Sequence, residues 1–202
     1  MSFFLYHHPV GLPGLVIMMA GGLLFFASVV RMRIGARAPA APAAAKRRSS
    51  ASAAGIFLQM LGFTATGFGL IQASLPAASP EAMLEAAAVA ALMAGSVLMF
   101  VAATRAMGAN WSVVARMREG HELVTSGIFA HLRHPIYVGM TLFLVALAIA
   151  FGHERNLVVG APLFLLGTWI RVHEEEKLLR AEFGRAYGDY AARVKRFVPG
   201  II

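Results

Sequence analysis

The chain contains no cysteine, which removes disulfides, thiolate metal sites and cysteine nucleophiles together and leaves the compartment open. Charge is scarce as well. Asp, Glu, Lys and Arg make up 14% of the 202 residues, against 58% hydrophobic, a balance too apolar for a soluble domain. No strand-like run leads into a glycine-rich turn, so neither a Rossmann site nor a P-loop is available, and no Gly-x-Ser-x-Gly elbow occurs. Met1 to Pro9 carry neither Lys nor Arg. The basic start of a secretory leader is therefore missing, and the first apolar run is expected to stay in the mature protein.

What the chain does have is long apolar runs. An apolar helix needs roughly 20 residues to cross the hydrocarbon core, and five runs approach that length: Leu12–Val30, Ile56–Leu75, Leu84–Thr104, Ile136–Phe151 and Leu157–Ile170. The last two are short and are separated only by Gly152 to Asn156, a tight helical hairpin. The expected fold is all-α and integral to the membrane: one domain over 1–202 with five transmembrane helices, three in 12–104 and the remainder in a functional half at 105–202. The Ala/Pro/Ser-rich stretch between the first two runs reads as a loop without a core of its own. Glycines in the first span (Gly11 to Gly22) and the second (Gly62, Gly67, Gly69) would permit close helix contacts, including those of a homodimer.

The formal charge is +8, but the basic residues lie between apolar runs without interleaved aromatics, which argues against nucleic acid and for anionic lipid head groups. With five alternating spans, 17 of the 18 Lys and Arg fall on one side, Arg155 being the exception. The positive-inside rule makes that side the cytoplasm, with the N-terminus outside and the C-terminus inside, as in a bacterial inner membrane. In the tail, Leu179, Phe183, Tyr187, Tyr190, Val194 and Phe197 recur at helical spacing with charges between them. Such a tail either lies on the membrane surface or folds back as a cytoplasmic helical cap; the cap is the expectation. Gly184 and Gly188 weaken its helix.

Two polar blocks sit where apolar runs meet water. In the first, Arg133-His134-Pro135 opens the fourth span; Pro135 suits the first turn of a helix, which places His134 at its cap and backbone N–H groups toward an anionic partner. Tyr137 follows within that turn, and Gly139 allows close approach. Alone, Arg133 would snorkel and His134 would pack as a cap. The second block, Arg171-Val172-His173-Glu174-Glu175-Glu176, closes the fifth span. Arg171 and Glu175 share a helix face, and three glutamates at a helix C-terminus oppose its dipole, so the helix is expected to continue through them. The two blocks are expected to meet and form one site. Among His131, His134 and His173 there is no His-Glu-x-x-His spacing, and no metal site is expected.

The run GIFAHLRHPIYVG resembles the Gly-x-Tyr/Phe…Arg-His-Pro-x-Tyr-x-Gly signature of the isoprenylcysteine carboxyl methyltransferase family. EEKLLRAEFGRAYGDYAARVKRFVP is similar to that family's Glu-Glu…Phe-Gly-x-x-Tyr-x-x-Tyr…Val-x-Arg-x-x-Pro ending, and Asn110-Trp111-Ser112 and Leu123-Val124 sit where the family has like residues. Phospholipid N-methyltransferases and some membrane sterol reductases share parts of the pattern. The resemblance covers roughly the C-terminal half. It implies S-adenosylmethionine held by Leu123, Val124, Gly127, His134, Pro135, Tyr137 and Glu175 or Glu176, with a lipophilic small molecule or lipid as substrate. Methyl transfer to a carboxylate would use Arg133 and Arg171 to hold the acceptor; an amine acceptor would need Glu175 as base. The alternatives are a phospholipid or amine N-methyltransferase and a nicotinamide-dependent membrane reductase.

Overall fold

A computed structural model describes residues 8–35, 50–108 and 122–200. The Ala/Pro-rich segment 36–49 and the segment 109–121, with Asn110-Trp111-Ser112, lie outside the described residues. Among the described residues there are five α-helices: α1 (Leu12–Gly35), α2 (Ser50–Gly67), α3 (Pro80–Met107), α4 (Pro135–Phe151) and α5 (Leu157–Arg193). Among the described residues there are no strands, only the isolated bridges Gly11 to Leu75 and Leu132 to Lys195.

Local chemistry sets the helix ends. Ser79 accepts a hydrogen bond from the Ala82 N–H at 3.2 Å just ahead of Pro80, a capped start for α3. Gly152, at φ 69°, closes α4 in the left-handed conformation. Asn156 donates to the Thr66 and Phe68 carbonyls at 3.3 and 2.8 Å. It thereby satisfies acceptors that the end of α2 leaves open.

α2 departs from the expected second span. It begins at Ser50, inside the expected loop, and ends at Gly67, so Phe68 to Leu75 lie outside the helix. The reason is packing: Ser52, Gly55, Gln59, Gly62 and Thr66 form a buried stripe of small and polar side chains, which lies along α5. A Cβ on Gly62 would stand 2.7 Å from the Gly160 carbonyl, and one on Gly167 would stand 2.5 Å from the Gly55 carbonyl. Two backbones at that distance leave room for nothing larger than glycine. Gly11 and Gly21 likewise approach Ala82 and Met93 of α3, so these glycines serve contacts within one chain.

α3 lies between α1 and α4, while α2 touches α4 and packs along α5. Met18, Val89, Met93, Ala146 and Ala150 form the core of the first group. A chain of aromatic contacts crosses all five helices, from Phe100 to Phe25 (4.9 Å), Phe143 (5.3 Å), Phe63 (5.6 Å) and Phe164 (5.5 Å). The outer surface is apolar as well: Leu23, Phe26, Phe57, Met60, Leu84, Leu98 and Val158 are all exposed. Such a continuous apolar exterior belongs in lipid.

Among the described residues three helical stretches are long and apolar enough to cross a membrane, within α1, α3 and α5, and α4 is a shorter apolar helix. The protein is an integral membrane protein. α5 has 37 residues, about 55 Å of helix against a hydrocarbon core of about 30 Å. Its apolar part ends at Ile170, and Arg171 opens its polar part. As expected, α5 continues through the three glutamates. Its backbone turns non-helical at Gly184 (φ 48°) and not at Gly188.

Candidate functional site

The helices alternate in direction, which brings the start of α4, the polar part of α5 and the beginning of α2 to one end of the bundle. His134 caps α4 with Pro135 in its first turn, as the sequence implies. After α5 the chain folds back: the Arg133 and His134 N–H groups donate to the Lys195 and Arg196 carbonyls at 2.8 and 3.0 Å. The Tyr190 hydroxyl donates to the Phe129 carbonyl at 2.7 Å. These bonds correct one expectation. The backbone donors at Arg133 and His134 do not face an open ligand position, because the returning tail takes them first, and the Tyr137 and Val138 N–H groups bond the His134 carbonyl.

Within this frame the two polar blocks meet, as the sequence implies. His134 Nε2 lies 3.3 Å from Glu176 Oε1, and its Nδ1 lies 3.7 Å from Glu175 Oε2. Glu176, 4% exposed, also receives Arg133 Nη1 at 3.0 Å and a two-pronged contact from Arg196 at 2.9 and 2.8 Å. Arg180, one turn on, reaches it at 3.9 Å. Arg133 further donates to the Tyr187 hydroxyl at 3.2 Å. Burial pushes the Glu176 carboxyl up, but the hydrogen bonds from Arg196 and His134 and the charge of Arg133 outweigh it, and the net shift is well below the usual carboxylate range. Arg196 is correspondingly raised by its bond to Glu176.

Glu175 anchors the second half of the site. The buried Tyr137 hydroxyl donates to it, and Arg171 Nη2 lies 3.7 Å away. The Arg171 guanidinium also stacks over the Tyr137 ring at 5.2 Å and donates to Gln59 Oε1 on α2 at 3.0 Å. The cation over the Tyr137 ring is thus a side chain of the same chain. Leu123 and Val124 are half-buried in the approach to the site. Gly127 takes a positive φ of 62° and packs against Ala106 at the end of α3. These three belong to the segment leading in and are not members of the ion-pair cluster.

Sequence reasoning named Arg133, His134, Pro135, Tyr137, Arg171, Glu175 and Glu176, and the structure brings all of them to one end of the bundle. It missed Gln59, Tyr187 and Arg196 as partners. Tyr187 and Arg196 carried a signal, the tail's apolar face and its Val-x-Arg-x-x-Pro motif. Gln59 carried none beyond being a polar residue in an apolar run.

The fold and site together define an all-helical integral membrane protein with a partly buried cluster of two glutamates, a histidine and arginines where two apolar helices end. Residues 88–181 match the isoprenylcysteine carboxyl methyltransferase (ICMT) family, a stretch that takes in the whole of the first motif and the opening residues of the second. The chain is 33% identical over 84 residues to protein-S-isoprenylcysteine O-methyltransferase B of Arabidopsis thaliana, covering 42% of this chain and 43% of that protein. It is 33% identical over 91 residues to the Schizosaccharomyces pombe protein-S-isoprenylcysteine O-methyltransferase (43% and 37% covered) and 34% identical over 124 residues to that of Rattus norvegicus (58% and 42%). The aligned part thus spans about two fifths of these relatives' length.

Proposed function

We propose that the protein transfers a methyl group from S-adenosylmethionine to the carboxylate of a lipophilic, isoprenylcysteine-type acceptor. The observation that carries this is the buried junction of His134 with Glu175 and Glu176, which joins the start of α4 to the exit of α5. It falls within the stretch matched to methyltransferases of that name. Bound S-adenosylmethionine supplies an electrophilic methyl on a sulfonium. One feature of the site fits an anionic group: Arg133 Nε is buried without a hydrogen-bond partner among the described residues, a donor that a ligand carboxylate would satisfy.

The chain's own residues orient and desolvate. An in-line displacement at the methyl carbon by an acceptor carboxylate oxygen depends on alignment and needs no base. Glu175 is already engaged by Tyr137 and Arg171, which suits a positioning role better than proton abstraction from an amine. Four arginines, Arg133, Arg171, Arg180 and Arg196, face two glutamates across the cluster, and this cationic excess supports an anionic acceptor. In this reading Leu123, Val124, Gly127, His134, Pro135, Tyr137, Glu175 and Glu176 hold the donor, and Arg133 and Arg171 hold the acceptor. All five helices cross the membrane, and the tail caps the cytoplasmic mouth.

Titration of the purified protein with S-adenosylhomocysteine tests the donor half of the assignment. His134→Ala and Tyr137→Phe should each weaken binding by about tenfold, the equivalent of about one charge-assisted hydrogen bond. Equal affinity in wild type and both variants would remove the site from this end of the bundle.

A further inference from the structure

Gln59 lies on α2, outside the stretch matched to the family, and only 2% of it is exposed. Its amide orientation is fixed by chemistry. Arg171 can only donate, so the oxygen must face Arg171 Nη1 at 3.0 Å, and the nitrogen then donates to Thr168 Oγ1 at 2.8 Å. Both partners are on α5, one helical turn apart. Gly55, one turn before Gln59, keeps α2 close: a Cβ there would meet Arg171 Cγ at 2.6 Å and the Gly167 carbonyl at 2.8 Å. The stem of Arg171 is thus wedged against α2 backbone while its head is held by Gln59, Glu175 and the Tyr137 ring.

Resting on the functional reading above, we infer that Gln59 is a positioning residue: with Thr168 it sets the plane of the Arg171 guanidinium that receives the acceptor carboxylate. A flexible arginine head loses bidentate geometry when one of its fixed acceptors goes. The consequence falls on acceptor binding: of the donor contacts, His134 and Glu176 are held by Arg133 and Arg196, and Tyr137 and Glu175, which Arg171 touches, keep their own mutual hydrogen bond. It also makes α2 part of the acceptor site.

The experiment is steady-state methyl transfer to an N-acetyl-S-prenylcysteine in detergent, with separate titration of S-adenosylhomocysteine. Gln59→Leu and Thr168→Val should each raise the acceptor KM by about five- to tenfold, with kcat and donor affinity within twofold of wild type. Thr168→Ser, which keeps the hydroxyl, should restore the wild-type KM. An unchanged acceptor KM in Gln59→Leu, a loss confined to kcat, or a Thr168→Ser variant as impaired as Thr168→Val would overturn the inference and leave the methyltransferase reading standing. Wild-type protein that binds no S-adenosylhomocysteine and transfers no methyl would overturn that reading itself, and this inference with it.

Discussion

Glu176 holds more of the site together than any other single side chain. Its carboxylate is contacted by Arg133, His134, Arg180 and Arg196, and the last of these ties the returning tail to α5. Because its folded pKa lies below the ordinary value, the stability it contributes is complete above the usual carboxylate range. That contribution fades only as pH falls through the lower folded value. Trp169 reports on this: the Arg196 guanidinium stacks on its ring at 5.4 Å. In a Trp111→Phe background, which leaves Trp169 as the only tryptophan, emission should stay constant from neutral pH through the ordinary carboxylate range, about pH 4, and shift only below it. Glu176→Ala should give the shifted spectrum already at neutral pH and lower stability by about 3 kcal/mol or more, because Arg133 is left buried without its counter-charge. An unchanged spectrum in Glu176→Ala would break the link between Glu176 and the Arg196–Trp169 contact.

At the scale of elements, the α2–α5 pair depends on what its glycines omit. Gly62→Leu drives a side chain into the Gly160 carbonyl and the Phe164 backbone, each 2.7 Å from a Cβ at that position. Cores and helix contacts cannot absorb that by rotamer change, so the folded yield in detergent should collapse. Gly188→Ala meets nothing within 4 Å and should raise the thermal midpoint slightly, by the ~0.5–1 kcal/mol that alanine gains over glycine in a helix. If both variants behave alike, close packing does not set the α2–α5 distance. The difference between these glycines shows where the sequence was legible. Pro135 announced the start of α4 and the glutamates implied a continuing α5, because caps and charges act locally. The start of α2 at Ser50 was not legible: an alanine- and serine-rich stretch reads as loop until the small side chains of Ser52 and Gly55 are seen against α5. Gln59 shares that difficulty, since its partners lie 109 and 112 residues away.

For the whole molecule, the alternating helices put the site, the tail and the clustered arginines at one end, and Pro76 to Pro80 with the Gly152–Asn156 turn at the other. Polar contacts hold that second end together, among them His8 N–H to the Gly152 carbonyl at 3.1 Å and Gly11 N–H to Glu85 at 3.1 Å. If all five helices cross, these two ends face opposite sides of the bilayer, and the positive-inside rule assigns the site to the cytoplasm. The absence of cysteine makes the test clean, because one introduced thiol is the only reactive one. Ala78→Cys, in the exposed connection before α3, and Ala186→Cys, exposed in the tail, should label oppositely. In intact bacteria a membrane-impermeant maleimide should modify the first and not the second, and in inverted vesicles the pattern should reverse. Labelling of both from one side would mean that one of the three helices between them fails to span, the short α4 first among them. Ala186→Cys alone reacting in intact cells would place the cluster outside and remove it from an intracellular methyl donor.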